Sequence, residues 1–547
     1  MVVSADPLAS DAGVQMLEQG GNVVDAAVAT AFAISVVEPF SAGIGGGGFL
    51  LLRLSETGEI RALDFRERAP MGASRDMYLD EKGEPIPRAS LDGHLAAGVP
   101  GTVAGLYEIQ QQYGKLPWQA TLEPAIRFAE GGFLVGERYE RSARRRQEVL
   151  QSNAAARAIF SKDGEMYEAG DRLIQKDLAK TLQQIAADPQ SFYSGEIAQA
   201  IARDMAENGG LISLEDLKAY QPVWREPLCG LFLEFQICSM PPPSSGGVHL
   251  LQILQIISAN NSEPFSSLAK NYTNADALHL LIEAMRIAYA DRSDHLGDPD
   301  FVKVPVEQLV SPEYAKLRRQ EIDMERARSS QEVKPVDGEI LQRLLQSESE
   351  DTSHLTVADE NGNVVSLTFT INGGFGAGVV AAGTGILLNN EMDDFAIAAN
   401  LPNMFGLLGN DANAIAPMKT PLSSMTPVIV TQGDRFHMAA GSPGGSTIIT
   451  TVLRLILNVL VFDLDPRAAI STPLLHHQWF PDSVWVESGK FPPEILDDLR
   501  RRGHDIKEIK EGWSNANLIV VSEDGFLEGA ADPRGEGAAR KFYSSKQ

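Results

Sequence analysis

An abrupt change of pattern at Thr352 constrains the fold of this 547-residue chain more than any other feature. A polar, acidic segment over residues 347–351 ends there, and apolar and polar residues then alternate. The alternation pauses at residues 359–363, which contain Asn-Gly, and resumes over residues 364–371. Two alternating runs around an Asn-Gly turn predict a β-hairpin. We therefore expect a strand to begin at Thr352, directly after a flexible acidic arm.

This junction also predicts a cleavage site between Asp351 and Thr352, because cleavage there would leave Thr352 with a hydroxyl and a free α-amine. A threonine hydroxyl is a weak nucleophile unless a base lies beside it. An α-amino group titrates near about 7.7–8.0, so part of it can accept a proton at neutral pH. The pattern is typical of a self-processed threonine nucleophile. The simpler alternative is that Thr352 only opens a strand, since threonine is common in strands.

Motifs spread over nearly the whole chain resemble those of the γ-glutamyltranspeptidase family. They are Gly45-Gly-Gly-Gly-Phe49, Asp64-Phe-Arg-Glu67, Met240-Pro-Pro-Pro-Ser-Ser-Gly-Gly247, Gly297-Asp-Pro-Asp-Phe301, Asp351-Thr-Ser-His-Leu-Thr-Val-Ala-Asp359, Gly385-Ile-Leu-Leu-Asn-Asn-Glu-Met-Asp-Asp-Phe395, Pro421-Leu-Ser-Ser-Met425 and Gly441-Ser-Pro-Gly-Gly-Ser446. The resemblance implies an α+β fold, a four-layer αββα sandwich of the N-terminal nucleophile hydrolase type. It also implies a helix-rich large subunit of residues 1–351 and a small subunit of residues 352–547 that carries the nucleophile. The two would form one intertwined heterodimer.

The resemblance further implies roles for individual residues. Thr352 is the nucleophile, and Thr370 supports its hydroxyl during maturation. Gly444 and Gly445 precede a predicted helix, where N–H groups lack intrahelical partners, and the family uses this pair as the oxyanion hole. The substrate site would comprise Arg66, Ser423 and Ser424 for the α-carboxylate, and Asn372, Glu391 and Asp394 for the α-ammonium. A guanidinium suits the first task because it binds a carboxylate bidentately.

The implied reaction is attack of Thr352 on the γ-carbonyl of glutathione or another γ-glutamyl compound. Water, an amino acid or a peptide acceptor would then resolve the γ-glutamyl ester. No cofactor and no metal are implied. Two alternatives remain open: a glutaryl-cephalosporin-type acylase, and an inactive binding protein on the same fold. The loop after Asp394 resembles the family's lid. Phe405 stands at the usual tyrosine position and cannot donate a hydrogen bond, so both a closed and an open lid remain alternatives.

Composition limits the partners of this chain. Asp and Glu number 73 against 47 Lys and Arg, a net charge of −26, which argues against nucleic acid and anionic membranes. The two cysteines, Cys229 and Cys238, are too few for a disulfide framework or a Cys-rich zinc site. Two free thiols are the simpler interpretation, with a disulfide left open.

Localisation rests on the resemblance, which implies a periplasmic or secreted protein. No signal peptide and no membrane-spanning run are visible, since the apolar stretch at residues 26–37 is too short to cross a bilayer. Family members usually carry an export signal and a leading strand before the position of Met1. We expect either a trimmed chain or a departure from the family, and a cytoplasmic location stays open.

Two motifs have weaker support. Residues 43–48 match G-x-G-x-x-G, but a predicted helix precedes them and a strand follows, the reverse of a dinucleotide site. We expect close backbone packing there instead. His476 and His477 point to opposite faces if they lie on a strand, which disfavours a shared metal.

The expected helices lie within 4–37 (two), 101–113, 123–130, 178–188, from 248, and 446–461, and the strands lie within 49–54, 61–67, 227–240, 353–371, 427–440, 484–487 and 517–521.

Overall fold

The computed structural model describes residues 1–259, 265, 272–334, 352–398, 401–510 and 512–542. Within these residues the helices are α1 Pro7–Glu18, α2 Val23–Val37, α3 Thr102–Tyr113, α4 Trp118–Gly131, α5 Glu137–Arg145, α6 Gln147–Ser152, α7 Ala154–Phe160, α8 Lys176–Ala187, α9 Ser191–Ser194, α10 Glu196–Glu207, α11 Leu214–Ala219, α12 Gly246–Ser258, α13 Ala275–His295, α14 Val306–Leu309, α15 Pro312–Gln320, α16 Ser330–Val333, α17 Ile448–Leu460, α18 Pro466–Ser471 and α19 Pro493–Arg502. None of the described helices combines the length and apolar character needed to cross a membrane.

The strands, in chain order over the same residues, are β1 Val2–Ser4, β2 Gly47–Arg53, β3 Ile60–Asp64, β4 Phe133–Leu134, β5 Ser161–Lys162, β6 Glu165–Met166, β7 Arg172–Leu173, β8 Val223–Arg225, β9 Leu228–Phe232, β10 Phe235–Ser239, β11 Ser353–Ala358, β12 Val364–Thr370, β13 Val428–Gln432, β14 Arg435–Gly441, β15 Leu475–His476, β16 Val484–Glu487, β17 Ile506–Ile509, β18 Asn517–Val521, β19 Leu527–Ala531 and β20 Ala538–Arg540. The expected helices and strands are thus confirmed. Two antiparallel sheets dominate: a seven-stranded sheet in the order β20-β1-β11-β12-β2-β3-β8, and a six-stranded sheet in the order β19-β18-β14-β13-β10-β9.

Strand β2 explains the layering, because its successive side chains point to opposite faces of the sheet. Leu50 and Leu52 pack into the core shared with α1–α4 and α8. Phe49 and Leu51 pack into a second core with the six-stranded sheet and with α12, α13 and α17. The order helix, sheet, sheet, helix follows, and it confirms the expected four-layer αββα sandwich.

Asn22 and Asp25 lie at the start of α2, one of the helices that cover the seven-stranded sheet. The Asn22 side chain accepts from the N–H of Asp25, and the Asp25 side chain accepts from the N–H of Asn22. This reciprocal capping box satisfies donors at the start of α2. Every residue of α2 is buried, as its almost uninterrupted apolar sequence requires.

Both sheets contain strands from before and after residue 352. In the seven-stranded sheet, β11 and β12 lie between β1 and β2. In the six-stranded sheet, β13 pairs with β10 over Val428–Gln432. Neither side of position 352 can therefore bury its apolar strands without the other.

The two cysteines require a correction. Cys229 of β9 and Cys238 of β10 lie opposite each other in the antiparallel register and form a disulfide with an S–S distance of 2.07 Å. The interpretation as free thiols is therefore wrong. Their nine-residue spacing spans a hairpin, so the cysteines become cross-strand neighbours once β9 and β10 pair.

Candidate active site

Thr352 lies immediately before β11, buried against the end of β12. The β11–β12 register pairs Ser353 with Phe369, so Thr352 falls beside Thr370. Their hydroxyl oxygens are 3.3 Å apart. The Thr370 hydroxyl also accepts a 2.8 Å hydrogen bond from the N–H of Asn372. Thr370 is therefore oriented from one side by the backbone and contacts the Thr352 hydroxyl on the other. Asp351 lies outside the described residues.

Gly45 and Gly46, just before β2, pack closely against the backbones of Leu387 and Thr370. A Cβ at Gly46 would lie 1.9 Å from the carbonyl oxygen of Thr370, and one at Gly45 would lie 2.1 Å from that of Leu387. Any side chain larger than hydrogen would push these segments apart. The expectation of close backbone packing at residues 43–48 is therefore confirmed.

Asn372 links the threonine pair to the acidic segment Glu391–Asp394, a turn of 3-10 helix. Its backbone has φ +74°, in the left-handed region that asparagine tolerates better than most residues. Its Nδ2 donates to the carbonyl oxygen of Asn390 at 3.0 Å. Among the described residues nothing donates to Asn372 Oδ1, which makes it an acceptor for a ligand.

Arg66 follows strand β3 and is almost fully buried. Its Nη1 lies 2.5 Å from Glu391 Oε1 and its Nη2 lies 2.5 Å from Asp394 Oδ2. Its Nε donates to the carbonyl oxygen of Pro421 at 3.3 Å. The structure thus brings Arg66 together with two of the three predicted α-ammonium ligands.

Glu67 adds a third buried carboxyl to this cluster. It lies 3.9 Å from Arg66 Nη1 and against the carboxyl of Glu391. Burial raises the pKa of Glu67 to about 7 despite the neighbouring guanidinium, and it raises the pKa of Glu391 well above its usual range. Two like charges at this separation disfavour double ionisation, so the pair retains a proton near neutral pH.

Ser423 and Ser424 closely follow Pro421, whose carbonyl oxygen accepts from Arg66, and Ser423 bridges to Ser244. Ser423 Oγ accepts from the N–H of Met425 at 3.0 Å, whereas Ser424 Oγ is buried and has no hydrogen-bond partner among the described residues. The start of this segment is held by Asp298, whose carboxylate accepts from the N–H of Thr420 at 2.8 Å. A buried hydroxyl without a partner is costly unless a ligand satisfies it.

Gly444 and Gly445 connect β14 to α17 through a 3-10 turn, Gly445–Thr447. Their φ angles are +130° and +52°, conformations that favour glycine. Within the described chain neither N–H donates a hydrogen bond. Two unpaired backbone donors at a helix start fit an oxyanion hole.

The lid segment, residues 401–408, is packed rather than open. A Cβ at Gly445 would lie 2.5 Å from the ring of Phe405, so that ring covers the glycine pair. Gln478 Nε2 donates to the Phe405 carbonyl at 2.9 Å, and Asn403 Nδ2 donates to Asp394 Oδ1 at 3.1 Å. The segment is therefore held in place by the side chains of Gln478 and Asn403, without a hydroxyl at position 405.

The adjacent histidines have structural contacts. His476 lies between Thr450 Oγ1 and Gln478 Oε1, each at 2.9 Å, while His477 lies 3.2 Å from the guanidinium of Arg286. The two rings thus contact different sets of residues. The described residues hold no group of three or more His, Cys, Asp or Glu arranged as metal ligands.

Three further residues lie at the site and were not predicted from the sequence: Glu67, Tyr289 and Arg292. Glu67 was visible as the last residue of the Asp64-Phe-Arg-Glu motif. Tyr289 and Arg292 are three positions apart on α13, and Tyr289 donates to the carbonyl oxygen of Ser446 at 2.6 Å. An arginine that continues an apolar helical stripe was the available signal for Arg292, since charged residues are rarely buried unless paired or functional.

The layered fold and the buried threonine at the start of a central strand define an N-terminal nucleophile hydrolase. The family model described as Gamma-glutamyltranspeptidase matches residues 9–542. The chain belongs to the γ-glutamyltranspeptidase family.

Individual relatives agree with this assignment. The glutathione hydrolase proenzyme of Escherichia coli (strain K12) is 46% identical over 536 residues, covering 98% of this chain and 90% of that protein. The acylase ACY 1 proenzyme of Pseudomonas sp. (strain V22) is 38% identical over 550 residues, covering 98% and 92%. The crystal structure of cephalosporin acylase from Bacillus halodurans has a TM-score of 0.85 and 30% identity, covering 99% of this chain and 96% of that chain. The family thus includes both hydrolases of glutathione and acylases among its named members.

Proposed function

We propose that this chain is a self-processing γ-glutamyltransferase and glutathione hydrolase. The precursor cuts itself between Asp351 and Thr352: the Thr352 hydroxyl attacks the carbonyl carbon of Asp351, an ester forms by an N-to-O shift, and water hydrolyses it. The products are chains of 351 and 196 residues (547 − 351). They remain one heterodimer because each large sheet contains strands of both.

In turnover, the Thr352 hydroxyl adds to the γ-carbonyl of glutathione or a related γ-glutamyl compound, while its own α-amine takes the hydroxyl proton. Gly444 and Gly445 donate their N–H groups to the resulting oxyanion, and loss of one such donor typically costs about 2.7–4 kcal/mol. The amine leaves with the proton, and a γ-glutamyl ester remains on Thr352. Water, or the amine of an amino acid or peptide, resolves that ester.

One observation carries the proposal: the hydroxyl of Thr352, buried at the start of a central strand, is 3.3 Å from that of Thr370, beside the charged cluster around Arg66. A threonine that only opened a strand would have no need of a buried hydroxyl partner. Buried charged groups packed together in this way are energetically costly unless a ligand of complementary charge binds them.

The charges of the site favour a γ-glutamyl group over a glutaryl group. Glu391 and Asp394, with the unpaired Oδ1 of Asn372, offer acceptors for an α-ammonium, while Arg66 and Ser424 offer donors for an α-carboxylate. A glutaryl group has the carboxylate but no ammonium, so it would leave the acidic residues without a cationic ligand. The acylase names among the relatives keep glutaryl acylase as the second candidate.

The processing step is tested by intact-mass analysis of wild type beside Thr352→Ala, with N-terminal sequencing of the smaller fragment. We expect wild type to give two fragments, the smaller beginning with Thr352, and the variant to remain one chain of about 59 kDa. An uncut wild type, or a fragment with another first residue, would contradict self-processing at this bond.

The substrate class is tested with γ-glutamyl and glutaryl p-nitroanilides on the cleaved protein. We expect kcat/KM to be at least about 100-fold higher for the γ-glutamyl compound, since it adds an ammonium that can donate to the buried oxygens of Asp394, Glu391 and Asn372. A preference for the glutaryl compound would identify the acylase alternative. Cleavage of neither compound would favour an inactive binding protein.

We further propose that the protein works outside the cytoplasm, in the periplasm or secreted. The Cys229–Cys238 disulfide supports this, because disulfides persist in oxidising compartments. Fractionation of cells that express the natural gene, followed by activity assay of each fraction, tests the assignment. Activity confined to the cytosolic fraction would contradict it.

A further inference from the structure

Arg292 of α13 is a buried arginine whose guanidinium has few contacts among the described residues. It retains only 4% exposure. Its one hydrogen bond to the described residues runs from Nε to Ser245 Oγ at 3.3 Å, and no described carboxylate forms an ion pair with it. Burial lowers the pKa of Arg292 to about 10, with Asp394 raising it and Arg66 lowering it. A buried guanidinium in this state is unfavourable unless an anion joins it.

Another buried arginine of the same helix shows the contrast. Arg286 pairs with Glu283 one turn earlier and lies 3.1 Å from Asp482. Its environment thus provides two carboxylates, and the charge is compensated inside the protein. The helix α13 therefore carries one arginine with anionic partners and one without.

The surroundings of Arg292 indicate where an anion would bind. Ser245, which accepts from Arg292, donates both its N–H and its hydroxyl to the carbonyl oxygen of Ser423, each at 2.8 Å. Arg292 is thus separated by one side chain from Ser423. Ser424, the next residue, has a buried Oγ without a partner among the described residues. Arg292 also interacts electrostatically with Asp394 and Arg66, so its guanidinium faces the same charged cluster.

Arg66 cannot offer all of its N–H donors to an anion at this place. Each of its three nitrogens already has a partner: Nη1 contacts Glu391, Nη2 contacts Asp394, and Nε donates to Pro421. A carboxylate that entered here would compete with two protein carboxylates for the same guanidinium. A second cation resolves this conflict, because it adds positive charge and further N–H donors.

We propose that Arg292 is a second carboxylate-binding arginine of the site, which together with Ser424 contacts the α-carboxylate of the γ-glutamyl substrate. The inference rests on the proposed function and deepens it. Arg292 is supplied by α13, before the cleavage site, and it approaches the substrate from the side of Ser423. Tyr289, three residues earlier, contacts the oxyanion segment through the Ser446 carbonyl. Helix α13 of the large subunit would thereby contact both the α-carboxylate and the oxyanion segment.

The test uses three p-nitroanilides on the cleaved protein. γ-Glutamyl anilide has both charged groups, glutaryl anilide has only the carboxylate, and 4-aminobutyryl anilide has only the ammonium. We expect Arg292→Met to lower kcat/KM by about 10- to 100-fold for the first two compounds, mainly through KM, because a hydrogen bond between charged groups is lost. The 4-aminobutyryl compound should change by less than about twofold.

Arg454→Met is the matched control. Arg454 is also fully buried with a lowered pKa of about 10, but its guanidinium bonds the carbonyl oxygen of Tyr272. We expect it to change all three substrates by the same factor. Should Arg292→Met fail to self-cleave, Arg292→Lys retains the charge and should show a smaller loss confined to the two carboxylate-bearing compounds.

Equal losses on all three compounds, or no loss, would overturn the role of Arg292 and leave the proposed function intact. A wild-type protein that cleaves none of them, or prefers 4-aminobutyryl anilide, would overturn both. The substrate pattern therefore separates failure of this inference from failure of the proposed function.

Discussion

The hydroxyl oxygens of Thr352 and Thr370 lie 3.3 Å apart, at the open end of the β11–β12 hairpin in the middle of the seven-stranded sheet. The contact depends on the hairpin register, because a shift of one residue would turn Thr370 to the opposite face. It gives the proposed nucleophile a partner whose own orientation is set by the backbone of Asn372.

Replacement of Thr370 by valine should slow both self-cleavage and γ-glutamyl anilide hydrolysis by about 10- to 100-fold, since a contact to the reacting hydroxyl disappears. Thr370→Ser should retain most of both rates. A time course of fragment formation on denaturing gels and steady-state kinetics provide the measurements. Thr368→Val is the control, because Thr368 lies on the same strand face but bonds His354. Equal effects at the two positions would argue that Thr370 acts through the fold alone.

Glu38 should make the stability fall as pH rises. It is buried, accepts from Ser353 Oγ at 2.9 Å, and lies 3.3 Å from Arg138. Burial raises its pKa from 4.5 to about 7 although Arg138 opposes this. Between these values the unfolded chain loses the proton and the folded chain keeps it, so the free energy of unfolding decreases over that interval and then levels off. The shift corresponds to a decrease on the order of 3 kcal/mol.

The matched measurement is thermal melting of Thr352→Ala with and without Glu38→Gln, at pH 5 and pH 8. The uncut background keeps both proteins as single chains. We expect the Glu38→Gln protein to gain relative to its parent on going from pH 5 to pH 8. A difference in Tm that stays constant across this range would show that Glu38 does not carry the pH dependence.

Gly441 should tolerate no side chain, because it makes room for a histidine between the two sheets. A Cβ at Gly441 would lie 2.3 Å from two ring atoms of His354. We expect Gly441→Ala to lower the free energy of unfolding by about 1–3 kcal/mol, as overpacking in a dense core does, and to slow processing because His354 follows Thr352 by two residues.

The double variant with His354→Ala tests this packing. If the clash is the cause, the two substitutions together should cost less than the sum of their separate effects. Gly131→Ala is the control, since a Cβ there would meet nothing within 4 Å. Additive effects of Gly441→Ala and His354→Ala would refute the explanation.

Removal of the Phe405 ring should change how the γ-glutamyl ester is resolved. The ring covers Gly445, and its carbonyl is held by Gln478 at 2.9 Å. Phe405→Ala should therefore admit water and raise the ratio of hydrolysis to transfer by several-fold with a dipeptide acceptor. Phe405→Tyr should leave the ratio near wild type, since the closing contacts use the backbone. The yields of free glutamate and γ-glutamyl dipeptide measure the ratio, and no change in Phe405→Ala would contradict water exclusion by the ring.

Much of this molecule was predictable because its signals are local. Alternation identified the hairpin after Thr352, and the glycines within residues 43–48 indicated close packing. Each of these patterns depends on backbone periodicity or on the absence of a side chain, which neighbouring residues in the sequence fix. The resemblance to a known family supplied the candidate roles of Arg66, Asp394 and Gly444.

Contacts between distant segments were not predictable in the same way. Cys229 and Cys238 were expected to be free thiols, but their pairing depends on the register of β9 and β10. The sequence around Phe405 does not show which residues hold this segment, whereas the structure shows that Asn403 bonds Asp394 and Gln478 bonds the Phe405 carbonyl. The burial of Glu67 beside Arg66 and Glu391, and of Arg292 without an ion pair to the described carboxylates, is visible only in the folded structure.

The sequence by itself determined the family, the order of helices and strands, and the position of the proposed nucleophile, because these follow from motifs and from the periodicity of adjacent residues. Only the tertiary structure decided which charges meet: Arg66 contacts Asp394 across 328 positions of sequence, while Arg292 forms an ion pair with none of the described carboxylates. The physical reason is that the energy of a charge depends on how much water and which opposite charges surround it. Both are set by the packing of distant segments, so no short stretch of sequence specifies them.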